Sequence, residues 1–322
     1  MKLFGERQPF YDALRDPKVS MKAKRKMILV SQVKRFAMDE IGLRSTGSYS
    51  HYIRIKSPYV AYNLSAAPKD KLTPIIWSFP IVGRVPYLGF FEKADAIKEE
   101  KRLIKRGLDT RLRGIPAYST LGFFSDPLLS TMVKYPDPLI INTVIHEMTH
   151  ETIFLKDNIK FNEGIATFVG GKGSIMFLER YYGKKSKWIA YVKDSHHDSI
   201  LFSHFIKKFS KELKAYFSRP ISRESKIRGR ERIYQKYQKY FQVTVLPKLK
   251  TKNYIAFPKI KLNNAYILAF RRYYLDLSFF ERVYQRFDGN LKKTILFLKK
   301  FEHVKKNPQK VIEYWLQTHK HL

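Results

Sequence analysis

Between residues 144 and 164 the chain reads VIHEMTHETIFLKDNIKFNEG, an apolar stretch carrying two imidazoles and four carboxylates. A helix with Val144, Ile145 and Met148 on it is buried, and buried polar groups must be satisfied by a partner or an ion. The upstream Asp137-Pro138 marks its start, a carboxylate cap followed by a proline at the first helical position, where a missing N–H costs nothing. Four residues advance a helix by about 400°, so His146 and His150 share one face, one turn apart. Two imidazoles so placed can converge on one cation. Glu147 sits about 100° around from His146, which suits a group that reaches a reacting water and not the ion.

A catalytic zinc takes three protein ligands and keeps one position open. The third donor expected here is Glu163 of NEG. Twelve residues, 151–162, separate it from His150, enough to end the helix, turn at Lys156-Asp157-Asn158 and return. FNEGIATFVGG then reads as a short helical segment stopped by Gly170 and Gly171, with Thr167 one turn beyond Glu163 as hydrogen-bonding support for a ligand. The adjacent His196 and His197 diverge by about 100° on a helix, lack a partner four residues on, and read as a polar turn.

Around this pair the pattern divides. Ser20 caps a helix through MKAKRKMILVSQVKRFAMDEI with Gly42 as its stop, and EKADAIKEEKRLIKRGL is a second helix. HYIRIK, YVAYNLSA, IIWSFPIVGRVPYLGFF and RLRGIPAYSTLGFF are rich in aromatic and β-branched residues broken by Pro and Gly, and read as strands and turns. After Gly183 helical periodicity dominates. The expected class is α+β: a mixed β-sheet part over residues 1–135, and a mainly helical part over 136–322 carrying both metal-site helices. A cleft is expected between them, the two parts forming two domains or one continuous catalytic domain.

Composition removes several alternatives. There is no cysteine among the 322 residues, so disulfides, thiolate metal sites and cysteine nucleophiles are excluded. No run of about 18 apolar residues occurs, and the first residues lack the apolar core of a signal peptide, so the chain by itself reads as cytoplasmic. Sixty-two Lys and Arg against 28 Asp and Glu give a formal charge of +34. Such charge attracts anionic polymers and membrane surfaces. It is spread from Lys2 to Lys320, and no nucleic-acid-binding module accompanies it. Nucleic acid is therefore not the expected partner, and association with a membrane surface through basic charge stays open. A basic binding protein for anionic polymers, and a metal-binding protein without catalysis, are the competing readings.

HEMTH followed by NEG resembles the gluzincin metallopeptidases. More of the chain, FPIVGRVPYLGFF, GIPAYSTLGFFSDPLLSTM, FNEGIAT and KLNNAYILAF, is similar to a bacterial family described as predicted aminopeptidases. The resemblance implies zinc-dependent hydrolysis of peptide bonds, with one Zn2+ per chain on His146, His150 and Glu163, and Glu147 as base. Tyr273, near the KLNNAYILAF block, is the first choice for the donor to the oxyanion and Tyr118 the second. Tyr118, Asn263 and Asn264 are candidates for substrate binding, and GIPAYSTLGFF could offer a sheet edge to a peptide. An aminopeptidase needs a carboxylate for the substrate's ammonium, for which Glu151, Asp126 and Asp157 are candidates. Members of that family usually begin with a lipoprotein-type export signal, absent here, which implies a bacterial envelope or periplasmic setting. Many also carry a cysteine pair where this chain has Ser78 and Arg84.

Overall fold

A computed structural model describes residues 7–45, 47–79, 83–115, 126–155, 158–273, 277–302, 304 and 307–318. In chain order the first elements are β1 (Arg7–Pro9), α1 (Phe10–Arg15), α2 (Met21–Phe36), β2 (His51–Ile53) and β3 (Ala61–Pro68). β4 (Trp77–Phe79), β5 (Gly83–Val85), β6 (Leu88–Phe90), α3 (Lys93–Lys105), β7 (Leu108–Ile115) and β8 (Leu128–Leu129) follow. Helices then take over: α4 (Asp137–Thr152), α5 (Ile159–Tyr182), α6 (Lys187–Phe217) and α7 (Arg223–Tyr240). The last are α8 (Asn264–Tyr273), α9 (Ser278–Gln285), α10 (Leu291–Lys299) and α11 (Pro308–Thr318). The fold is α+β, with small sheets confined to the N-terminal half and helices in the C-terminal half. Among the described residues no helix is long and apolar enough to cross a membrane.

The chain sorts into two units that interleave along the sequence. Unit 1 takes residues 1–58, 117–189 and 275–322, and unit 2 takes 59–116 and 190–274.

In unit 1, α2 begins as its sequence dictates, with the Ser20 hydroxyl accepting from Ala23 N at 3.2 Å. It ends in one wider turn, Ala37–Ile41, closed by Gly42 at φ +81, a left-handed conformation that favours glycine. Met27, Val30 and Val33 of α2 and Ile140, Val144 and Ile145 of α4 are fully buried. α4 packs against both α2 and α5. The start of α4 is shifted by one residue from expectation. Pro136 is the residue before the helix, and Asp137 is its first residue. The Asp137 carboxylate is drawn instead to the buried Lys26 ammonium, 2.5 Å away, which ties α2 to α4. β1 pairs antiparallel with β2, and β2 parallel with β8.

α5 corrects a second expectation. It does not stop at Gly170-Gly171 but runs 24 residues to Tyr182, and Gly183, at φ +80, ends it. The glycines inside it serve proximity. A Cβ added at Gly170 would stand 3.2 Å from the Asn142 carbonyl and 3.3 Å from His146 Cβ, and one at Gly173 would stand 2.7 Å from Ile41 Cδ1. The helix accepts the cost of glycine because the Asn142 carbonyl and neighbouring side chains occupy that space. α9 closes over the other side, its Phe280 ring filling the position a side chain at Gly164 would need.

Unit 2 is built on an antiparallel sheet in the order β6-β3-β7. Leu64 and Ala66 of β3 and Leu103 of α3 form the core between sheet and helix. A larger aromatic core, with Phe202, Phe205, Phe209, Tyr237, Phe241 and Phe257, lies among α6, α7 and the segment that follows α7. One buried polar cluster orders this unit. Arg230 donates to both oxygens of Asp109, at 2.6 and 3.1 Å. Asn264 donates to the carbonyls of Pro68, Lys69 and Lys71 and accepts from the Tyr234 hydroxyl at 2.7 Å. His196 and His197 lie inside α6, not in a turn. The buried Asp198 beside them accepts from Lys250 N, Thr251 N and the Thr251 hydroxyl, which is why a polar run sits in a helix there.

Candidate metal centre

The connection from α4 to α5 sets the site. Ile153 ends α4, and residues 158–162 lead into α5. The buried Asn162, first residue of NEG, accepts from Leu155 N at 2.9 Å and donates to the Leu155 carbonyl at 2.8 Å. That double bond clamps the two ends of the connection, and Glu163 follows at once. With Gly170 letting α5 lie against α4 near His146, the Glu163 carboxylate is brought to the paired imidazoles.

The distances suit one ion. His146 Nε2 and His150 Nε2 are 3.1 Å apart, and each lies 3.7 Å from one oxygen of Glu163. Ligands about 2.1 Å from a tetrahedral ion stand about 3.4 Å from one another, so the three donors span that value. All three lie within 4.8 Å of one another. The rings meet edge to face, with centroids 4.8 Å apart.

Electrostatics supply the required protonation states. Burial, then the neighbouring His150, lowers the His146 pKa to about 3, against the smaller raising effect of a bond to the Ala166 backbone. Burial lowers His150 to about 4. Both imidazoles are therefore neutral at pH 7, the state a ligand needs. Thr167, the expected helper, is exposed. Burial raises the Glu163 pKa, a penalty on the carboxylate that a cation between the three donors would remove.

Glu147 lies on α4 between the two histidines, half-buried. A group of side chains stands nearby in which Asp126 and Glu151 were expected candidates, while Lys34, Ser48 and Tyr49 were not foreseen from the sequence. Tyr49 is buried and holds φ +54, a left-handed conformation unusual for a bulky residue. Burial, together with the carboxylates of Glu147, Asp126 and Glu151, holds its phenol well above the usual range. Its N–H donates to the Asp126 carbonyl at 2.5 Å. The Ser48 hydroxyl donates to Glu151 at 2.5 Å and accepts from Asp126 N at 2.9 Å. The Lys34 ammonium donates to the Ser48 carbonyl. Burial lowers the Lys34 pKa, and Glu151 opposes the shift. The partners lie up to 103 positions apart, so no local pattern marks them; an isolated non-glycine at positive φ leaves no trace in sequence.

Of the other residues singled out, Asn263 and Asn264 belong to unit 2. Asn263 donates to the Thr110 carbonyl and accepts from Tyr266 N, and the Asn264 side chain is committed to the cluster described above. Tyr118 and Asp157 lie outside the described residues, as does the side chain of Tyr273, whose backbone ends α8.

No curated protein and no solved structure matches this chain. Residues 1–312 match the model of the family described as "Putative aminopeptidase", and the chain belongs to that family.

Proposed function

We propose that the protein is a zinc-dependent peptidase of the gluzincin type, acting on peptides with a free amino terminus. The observation that carries this reading is the convergence of two neutral imidazoles and one carboxylate at 3.1 to 3.7 Å. His146, His150 and Glu163 hold one Zn2+. A bound zinc supplies Lewis acidity toward a carbonyl and toward water. Glu147, one residue from the first imidazole and turned about 100° from it, accepts the proton of the attacking water and returns it to the leaving amine. Tyr273 is proposed as the donor to the oxyanion, with Tyr118 as the alternative. The carboxylates of Glu151 and Asp126 are proposed to receive the substrate's ammonium.

Glu147→Gln is expected to keep full metal content by elemental analysis and to lose hydrolysis of an aminoacyl p-nitroanilide. His150→Ala should lose the metal. Hydrolysis undiminished in Glu147→Gln, or metal retained in His150→Ala, would overturn the reading. Comparing free and acetylated peptides then separates exopeptidase from endopeptidase action.

A further inference from the structure

Unit 2 holds none of the three metal donors, and one of its strands ends the sheet. Among the described residues β7 pairs with β3 alone. The register shows which of its backbone groups face outward. Ala66 stands opposite Thr110, yet the Ala66 carbonyl accepts from Ile75 N at 2.9 Å and so points away from β7. Facing residues of an antiparallel ladder turn inward or outward together, alternating along the strand. Thr110, Leu112 and Gly114 therefore direct N–H and C=O to the outer side of β7. The Thr110 carbonyl is taken by the Asn263 amide at 2.9 Å, which leaves Leu112 and Gly114 as the open stretch among the described residues.

A cavity of about 930 Å³ lies along this edge, walled by residues of α3, α7 and the start of α8. Arg111 and Leu112, successive residues of β7, both line it. Their side chains point to opposite faces of the sheet, so the groove follows the strand's edge and not one face. At Gly114 the Tyr59 ring lies where a side chain would stand, 2.5 Å from an added Cβ, and gives the groove an aromatic floor.

The charge in the groove is selective. Its acids are engaged: Asp109 and Glu231 by Arg230, and Glu100 by the Thr110 hydroxyl. Lys69, Lys93 and Lys261 line the same groove without a carboxylate in ion-pair range among the described residues. Outward backbone groups call for another backbone, and unmatched ammonium groups call for carboxylates.

We propose that this groove binds an extended peptide segment with acidic side chains, which joins β7 as an added strand through Leu112 and Gly114. Alternate side chains of the added strand reach the lysines, and the main chain supplies hydrogen bonds whatever the sequence. This holds independently of the metal reading.

The test uses full-length protein carrying Glu147→Gln, so that no probe is consumed. The probe is an acetylated, amidated peptide of alternating valine and glutamate with a fluorescein label, followed by anisotropy. Saturable binding is expected. It should weaken at least tenfold in Leu112→Pro, which removes one outward N–H and leaves the β3 ladder intact. Lys69→Glu combined with Lys93→Glu and Lys261→Glu should weaken it as much, and decides the matter if the proline variant does not fold. His150→Ala should bind as before. Absence of saturable binding, equal binding of a valine–lysine peptide, or loss in His150→Ala with retention in the lysine variant would overturn the proposal. So would tighter binding of a single-stranded oligonucleotide that the lysine variant abolishes.

Discussion

At the scale of residues, the paired imidazoles make a prediction about pH. In the unfolded chain they titrate near 6.5, and in the folded chain near 3 and 4. The folded form without metal thus binds fewer protons than the unfolded form between these values. The contribution of the buried, neutral rings is whole above pH 6.5 and is lost as pH falls toward 4, by at most about 1.4 kcal/mol per pH unit for each ring. Glu163, raised by burial, runs the other way: its contribution is fullest at low pH and is lost as pH rises above 4.5. Two histidines outweigh it in the window just below 6.5. Chelator-treated protein should therefore show falling stability in urea between about pH 7 and pH 5, and His146→Phe should flatten that slope. An unchanged slope would mean the rings are hydrated and not buried.

At the scale of elements, glycine was the main source of misreading. Gly170 and Gly171 look like a stop because glycine is the commonest helix terminator, and that rule is local. What decides their role is a neighbouring helix that no window of sequence contains. His146, His150 and Glu163, by contrast, were legible, because a four-residue spacing and a return helix are local consequences of helical geometry. The glycines give a paired prediction with opposite signs. Nothing lies within 4 Å of a Cβ added at Gly171, so Gly171→Ala should stabilise the protein by about 0.5–1 kcal/mol, the ordinary propensity difference. At Gly173 the added methyl meets Ile41 and Ile145 at 2.7 and 3.1 Å, so Gly173→Ala should destabilise it by about 1–3 kcal/mol. Denaturation midpoints measure both. Gly173→Ala should also lower metal content, because it moves α5 and Glu163 with it.

At the scale of the molecule, the charge of +34 sets how the protein meets its surroundings. Retention on heparin should fall steeply with salt, with log K linear in log salt. Chelation should leave that retention unchanged while it stops hydrolysis. If hydrolysis survives chelation, the metal reading fails and a polymer-binding role gains ground. The +34 was plain from composition, whereas the interleaving of the units was not, because segments far apart in the chain meet only through tertiary contacts. Unit 1 draws on residues up to 58, then 117–189, then everything from 275 onward. The Phe280 ring that fits over Gly164, and the Glu281 carboxylate 2.9 Å from Lys172, belong to its last segment. A ribosome that has released the first 274 residues has therefore already made both histidines and their glutamate, but not the cover that seats their second helix. The seating of α5, and with it the placing of Glu163 beside the paired imidazoles, must therefore wait until the residues from 275 onward have been made.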